Sequence, residues 1–151
     1  MRIANGTCIL VTDGSKMLLF RNEGDADYPK LTRLAKTEDE NPSDRAQKSD
    51  GPGRTSAMAA GGRRSAYQET DFHRQEEERF ARRTAAMLGR RAAAAEFERL
   101  VVVADPRTLG VLRDHYPPAL KKVVTAEVAK DLVKHPVAEI ERILGKEPAV
   151  R

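Results

Sequence analysis

Residues 7–20 read TCILVTDGSKMLLF, and this stretch decides the fold. Two apolar, strand-forming runs flank Asp13-Gly14, and an Asp-Gly pair between such runs is a strong short-range signal for a β-hairpin. The turn is expected to need a positive φ at its centre, which glycine supplies. Neither run alternates with polar residues, so the hairpin is predicted to lie centrally in a sheet that is covered on both faces.

The remaining sequence predicts strands that alternate with helices. A third strand is expected near residues 28–36, and after a long segment a helix is predicted to begin near Phe72, with Thr70-Asp71 as its N-cap. Gly89 weakens this helix and leaves a kink or an early end open. The order implies an α/β fold, with a mixed, about five-stranded sheet opened by the hairpin and helices packed on it. Further along, the sequence predicts a buried strand at 99–105, a helix from Pro106, a short helix after Pro117-Pro118, a strand at 125–132 and a last helix from Pro136 with Gly145 as its C-cap.

Residues 37–70 differ in composition from the rest of the chain. They are rich in Ser, Gly, Pro, Asp and Arg and have almost no large aliphatic residues. Such a segment cannot bury enough apolar surface to offset the entropy cost of ordering it, so a long flexible loop is expected at about 37–70. A loop of this length in a small domain is usually functional or a linker. Residues 1–151 are expected to form a single domain around it.

Composition excludes several classes of protein. The chain has 151 residues, a net charge of +4 and one cysteine, Cys8. A single cysteine excludes an internal disulfide and a cysteine-based zinc site, as is typical of a cytoplasmic protein. No apolar run approaches the roughly 20 residues that span a bilayer, so no membrane association is expected. The mild basic excess permits contact with RNA or the ribosome without demanding it.

Two groups of residues suggest metal chemistry, and each has a structural explanation as well. Asp13 and Asp105 are carboxylates, a ligand type that Mg²⁺ prefers, and each follows a predicted strand; Asp13 also suits a hairpin turn and Asp105 an N-cap. His73, Glu76 and Glu77 share a helix face, although acidic residues in a first turn also favour the helix dipole. No second group of ligands completes this helical set. No metal and no cofactor is expected.

Four stretches carry a resemblance to a known family. VTDGSKMLLF, TDFHRQEEERFARR, ERLVVVADPRTLGVLRD and AEVAKDLVKHPVAEIERIL resemble the bacterial host-attachment proteins, which are named as required for attachment to host cells. The resemblance covers nearly the whole chain apart from residues 37–60. That family is similar in turn to the middle domain of archaeo-eukaryotic peptide release factors, which implies a ribonuclease-H-like fold. Such sheets hold metal-binding carboxylates at strand ends, so the resemblance implies that Asp13 and Asp105 could share Mg²⁺ for phosphodiester cleavage.

The resemblance also implies where binding residues lie. In release factors a Gly-Gly-Gln loop precedes the long helix, and its tip helps water attack the peptidyl-tRNA ester. Here Gly61-Gly62 has the same place in the order of elements, but Arg63 follows, and the nearest glutamine is Gln68. Glycine allows close approach to RNA and arginine binds phosphate, but arginine cannot place water as the amide does. The residues expected to bind RNA or a partner are Gly61, Gly62, Arg63, Arg64 and Gln68.

These observations predict a non-enzymatic, cytoplasmic protein of the host-attachment family. It is expected to associate with the ribosome or RNA through the loop before the long helix, and an attachment phenotype would then be indirect. Three alternatives stay open: a ribosome-rescue factor that hydrolyses the ester of peptidyl-tRNA, a metal-dependent nuclease, and a module that binds an unknown protein partner. The sequence leaves the oligomeric state open.

Overall fold

A mixed sheet of five strands forms the centre of the fold. The structure, a computed structural model, describes residues 1–39 and 66–148, with all side chains except those of residues 66 and 67. The elements in chain order are β1 (Cys8–Thr12), β2 (Lys16–Asn22), β3 (Leu31–Glu38), α1 (Ala66–Ala93), β4 (Leu100–Ala104), α2 (Pro106–His115), α3 (Pro118–Val123), β5 (Val124–Ala129) and α4 (Val137–Lys146). The strand order is β3-β2-β1-β4-β5. β2 is antiparallel to both its neighbours, whereas β1, β4 and β5 are parallel. The predicted α/β class and hairpin-led mixed sheet are confirmed.

The side chains of β1 alternate between two hydrophobic clusters, one on each face of the sheet. Cys8 and Leu10 belong to the α1-side cluster, which also contains buried residues of α1, α2 and α3. Ile9 and Val11 belong to the α4-side cluster, which contains buried residues of α4. All four side chains are fully buried. Because successive side chains of a strand point to opposite faces, a strand covered on both sides is apolar throughout, as predicted.

The β1–β2 turn forms where it was predicted, but the predicted positive φ at its centre is wrong. Gly14 does not adopt a positive φ. The turn is held by Asp13, whose Oδ1 accepts hydrogen bonds from the backbone N–H groups of Ser15 and Lys16, each at 2.8 Å. A Cβ at position 14 would lie 2.6 Å from Cγ of Glu77 on α1, so a larger residue there would require the Glu77 side chain to shift.

α1 begins earlier than the sequence predicted. The predicted N-cap, Thr70-Asp71, lies inside the helix, which starts at Ala66. Asp71 Oδ2 accepts a hydrogen bond from Gln75 Nε2 at 3.2 Å, a pairing one turn apart that stabilises a helix rather than beginning one. Although α1 is long, neither it nor any other helix in the described ranges is apolar enough to cross a membrane.

The two ends of the segment predicted as a loop, about 37–70, fall within regular elements. β3 runs to Glu38 and α1 starts at Ala66. Residues 40–65 lie outside the described residues, and the flexibility predicted for them stays a prediction.

Two glycines predicted to end or weaken helices lie within them. α1 continues through Gly89, where a Cβ would lie 2.6 Å from Cγ of Pro117. Glycine at this position lets α1 approach the α2–α3 connection closely. The predicted C-cap, Gly145, precedes the last residue of α4, Lys146, and has no positive φ.

Replacing Gly89 by alanine is expected to lower the free energy of unfolding by up to about 2 kcal/mol. Alanine improves helix propensity by ~1 kcal/mol, but the clash with the rigid ring of Pro117 is overpacking, which costs about 1–3 kcal/mol. Gly110→Ala in α2 is the matched control, because a Cβ there meets nothing within 4 Å. It should be neutral or stabilising by up to about 1 kcal/mol. Chemical denaturation measures both, and a Gly89→Ala protein as stable as Gly110→Ala would contradict this account.

Candidate functional site

α1 is far longer than the strands it covers. Its 28 residues extend about 42 Å, whereas the five residues of β1 extend about 17 Å. The first buried side chain along the described part of α1 is that of Phe80, and the segment from there to Ala93 is similar in length to a strand. The excess length therefore lies in the N-terminal half of the helix.

The excess length of α1 extends past the carboxyl ends of β1 and β4. Glu77 lies over Gly14, in the turn that follows β1, and so marks the level at which the sheet ends. Ala66 is eleven residues earlier, about 16 Å further along the helix axis. Between these points the side chains of 68–76 are exposed or half-buried. We call residues 66–76 the α1 projection.

Of the predicted binding residues, only Gln68 belongs to this projection. Gln68 lies in the first turn of α1 with an exposed side chain. Gly61, Gly62, Arg63 and Arg64 lie outside the described residues, two to five positions before α1 begins. The first N–H groups of a helix and its dipole favour anions such as phosphate.

The chain also leaves the sheet at this edge. The backbone N–H of Asp39, directly after β3, donates to the carbonyl of Ser15 at 2.7 Å. The side chain of Asp39 pairs with Arg83 of α1. Asp39, the last described residue before 40–65, is therefore held at the β1–β2 turn and against α1. The first described residue after 40–65, Ala66, begins α1.

A polar pocket of about 270 Å³ lies at the same edge. Asp13 and Asp105, which follow β1 and β4, both line it, as the topology of adjacent parallel strands requires. Glu77, Arg107 and Asp131 join them. The sequence predicted that Asp13 and Asp105 could share a site. It did not predict that Glu77, Arg107 and Asp131 line the same pocket.

Local hydrogen bonds and an ion pair engage most of these carboxylates. Asp13 holds the β1–β2 turn, and Asp105 caps α2, since its Oδ2 accepts from the N–H of Thr108 at 3.1 Å. Glu77 Oε1 lies 3.1 Å from Nη2 of Arg107. Within 1–39 and 66–148, no group of three or more His, Cys, Asp or Glu side chains could hold a metal ion. The hydrogen bonds of Asp13 and Asp105 fit the structural explanation of both aspartates.

The second predicted cluster is divided among other contacts. Glu76 forms an ion pair with Arg79, and Glu77 turns to Arg107. His73 lies edge-on to Phe72, with 6.3 Å between ring centroids. The structure does not bring these three side chains together as ligands.

Cys8 is a core residue. It is fully buried in the α1-side cluster, and burial raises the pKa of its thiol. Because the thiolate is the nucleophilic form, a buried thiol with a raised pKa is not suited to covalent catalysis.

Replacing Asp105 by alanine is expected to lower the free energy of unfolding by about 0.5–2 kcal/mol, the usual loss for removing an N-cap. Asp131→Ala is the matched control from the same pocket and should change stability by no more than about 0.5 kcal/mol. Thermal denaturation with and without Mg²⁺ measures both variants. Stabilisation of the wild type by Mg²⁺ that disappears in either variant would instead support a metal site.

Comparison with known proteins identifies the family. The archaeal translation termination factor aRF1 has a solved structure that matches 91% of this chain and 37% of that chain, with 13% identity and a TM-score of 0.47. The uncharacterized protein RP470 of Rickettsia prowazekii is 45% identical over 51 residues, 34% of each chain. The matched regions thus span about a third of each of these proteins. A family model described as bacterial archaeo-eukaryotic release factor family 12 matches residues 6–144, a range that runs from before β1 into α4, and the chain belongs to that family.

Proposed function

We propose that this protein binds the ribosome without catalysing hydrolysis and contacts RNA through the segment that leads into α1. The observation that carries the proposal is the family match over residues 6–144, because release factors act on the ribosome. The match names release factors and not host attachment. An attachment role therefore stays a prediction, and it would be an indirect consequence of binding in the cytoplasm.

The α1 projection supports this proposal. A segment at the end of a helix that extends about 16 Å past the sheet edge can enter a confined RNA site while the folded core stays outside. Gly61 and Gly62 permit close approach of the backbone to RNA. Arg63 and Arg64 add two cations that can bind phosphate. In the sequence they precede the N-terminus of α1, and a helix N-terminus also favours negatively charged groups such as phosphate.

The identity of residue 63 argues against catalysis. In the release-factor pattern a glutamine follows the two glycines, and its amide helps to place the attacking water. Arg63 is a permanent cation with donors and no acceptor, so it can bind phosphate but cannot orient water as a carboxamide does. We therefore expect RNA binding without release of the peptide.

Ribosome co-sedimentation tests the proposal. The wild type is expected to pellet with ribosomes at moderate salt, and Gly61→Ala/Gly62→Ala to lose most of that binding. Gly110→Ala/Gly145→Ala is the matched control, because a Cβ at either position meets nothing within 4 Å; it should pellet like the wild type. Absence of wild-type binding would contradict a role on the ribosome.

Two other outcomes would also count against the proposal. Equal, salt-sensitive pelleting of all three proteins would indicate general attraction to phosphate and no role for the segment. Release of peptide from peptidyl-tRNA by the wild type, lost in Gly62→Ala, would favour the hydrolase alternative instead.

A further inference from the structure

A basic groove lies on the α4 side of the sheet, on the face opposite α1. It encloses about 660 Å³ between β2, β3 and the turn before α4. The sequence did not predict it, because the groove joins residues more than 100 positions apart. Its lining is Lys16, Leu18, Phe20, Arg33, Val133, Lys134, His135, Pro136 and Val137.

The charge of the groove is one-sided. Lys16, Arg33 and Lys134 line it together with His135, and none of its lining residues is acidic. Lys16 Nζ has Glu38 Oε2 at 3.8 Å. Arg33 and Lys134 are exposed and form no ion pair with any carboxylate of the described residues. These two cations carry the charge that an anion in the groove would meet.

The floor of the groove is aliphatic. Leu18 and Val133 are nearly fully buried, whereas Val137 is 39% exposed. The aromatic ring of Phe20 is 1% exposed and offers no face on which a base could stack. Single-stranded nucleic acid sites rely on exposed aromatic faces for such stacking. This lining therefore favours a peptide over RNA.

We propose that this groove binds an acidic segment of a partner protein, with an aliphatic side chain of that segment lying against Val137. The carboxylates of the segment would pair with Arg33 of β3 and with Lys134 of the turn before α4, both of which line the groove. Opposite charge at the rim and apolar contact at the centre is the usual anatomy of a protein interface. The site is separate from the α1 projection and does not depend on ribosome binding.

Fluorescence anisotropy with a labelled peptide of alternating Glu and Leu residues tests this proposal. Arg33→Glu/Lys134→Glu is expected to weaken binding by about tenfold or more, because both favourable charges become repulsive. Lys121→Glu/Lys122→Glu on α3 is the matched control, with the same change in net charge at exposed positions. If the charge of the groove and not the net charge of the protein determines affinity, this control should bind the peptide within about twofold of the wild type. Circular dichroism checks that both variants are folded.

Two further probes address the chemistry of the ligand. A peptide of alternating Glu and Ser should bind at least about tenfold more weakly than the Glu-Leu peptide if apolar contact contributes; equal binding would overturn the aliphatic part of the proposal. Oligouridine that binds more tightly than the peptide, and loses that binding in Arg33→Glu/Lys134→Glu, would overturn the peptide in favour of RNA. No binding of the Glu-Leu peptide to the wild type would overturn the proposal, whatever the result of ribosome sedimentation.

Discussion

The pairing of β1 on both of its edges is the constraint on which the rest of the structure depends. β1 is antiparallel to β2 and parallel to β4. The side chains of its first four residues, 8–11, divide equally between the two clusters. A shift of one residue in the register of β1 would move Cys8 and Leu10 to the α4 side of the sheet and Ile9 and Val11 to the α1 side. Neither cluster would then contain the side chains that pack in it. The turn at Asp13 sets this register, because its carboxylate fixes the backbone of Ser15 and Lys16.

Elements encoded by neighbouring residues could be predicted, and elements decided by distant contacts could not. The hairpin, β4 and α2 follow from local signals, such as Asp105 directly before Pro106, and all three lie where they were predicted. β5 was predicted to run to residue 132 but ends at Ala129. Leu132 and Val133 are buried in the α4-side cluster without strand pairing, so their apolar character reflects packing under α4 and not β structure.

The candidate site shows the same division. The sequence places Asp13 and Asp105 directly after two predicted strands. In the structure these strands are adjacent and parallel, and both residues line one pocket. The structural alternative for each residue was also predictable, because turn and N-cap signals are local. The role of Gly14 was not predictable in this way. It depends on Glu77, 63 positions later, passing over the turn, and no local pattern reports such an approach.

β2 links the two surfaces proposed to bind partners and also keeps them apart. Met17 and Leu19 point into the α1-side cluster, whereas Leu18 and Phe20 point into the α4-side cluster and the floor of the basic groove. Each pair is fixed by packing on its own face, and the strand between them is hydrogen-bonded on both edges. Close-packed interiors resist small displacements, so occupation of the groove need not move α1. The α1 projection, which lies beyond the sheet edge, and the groove, which lies on the α4 side of the sheet, are therefore separate surfaces of the fold.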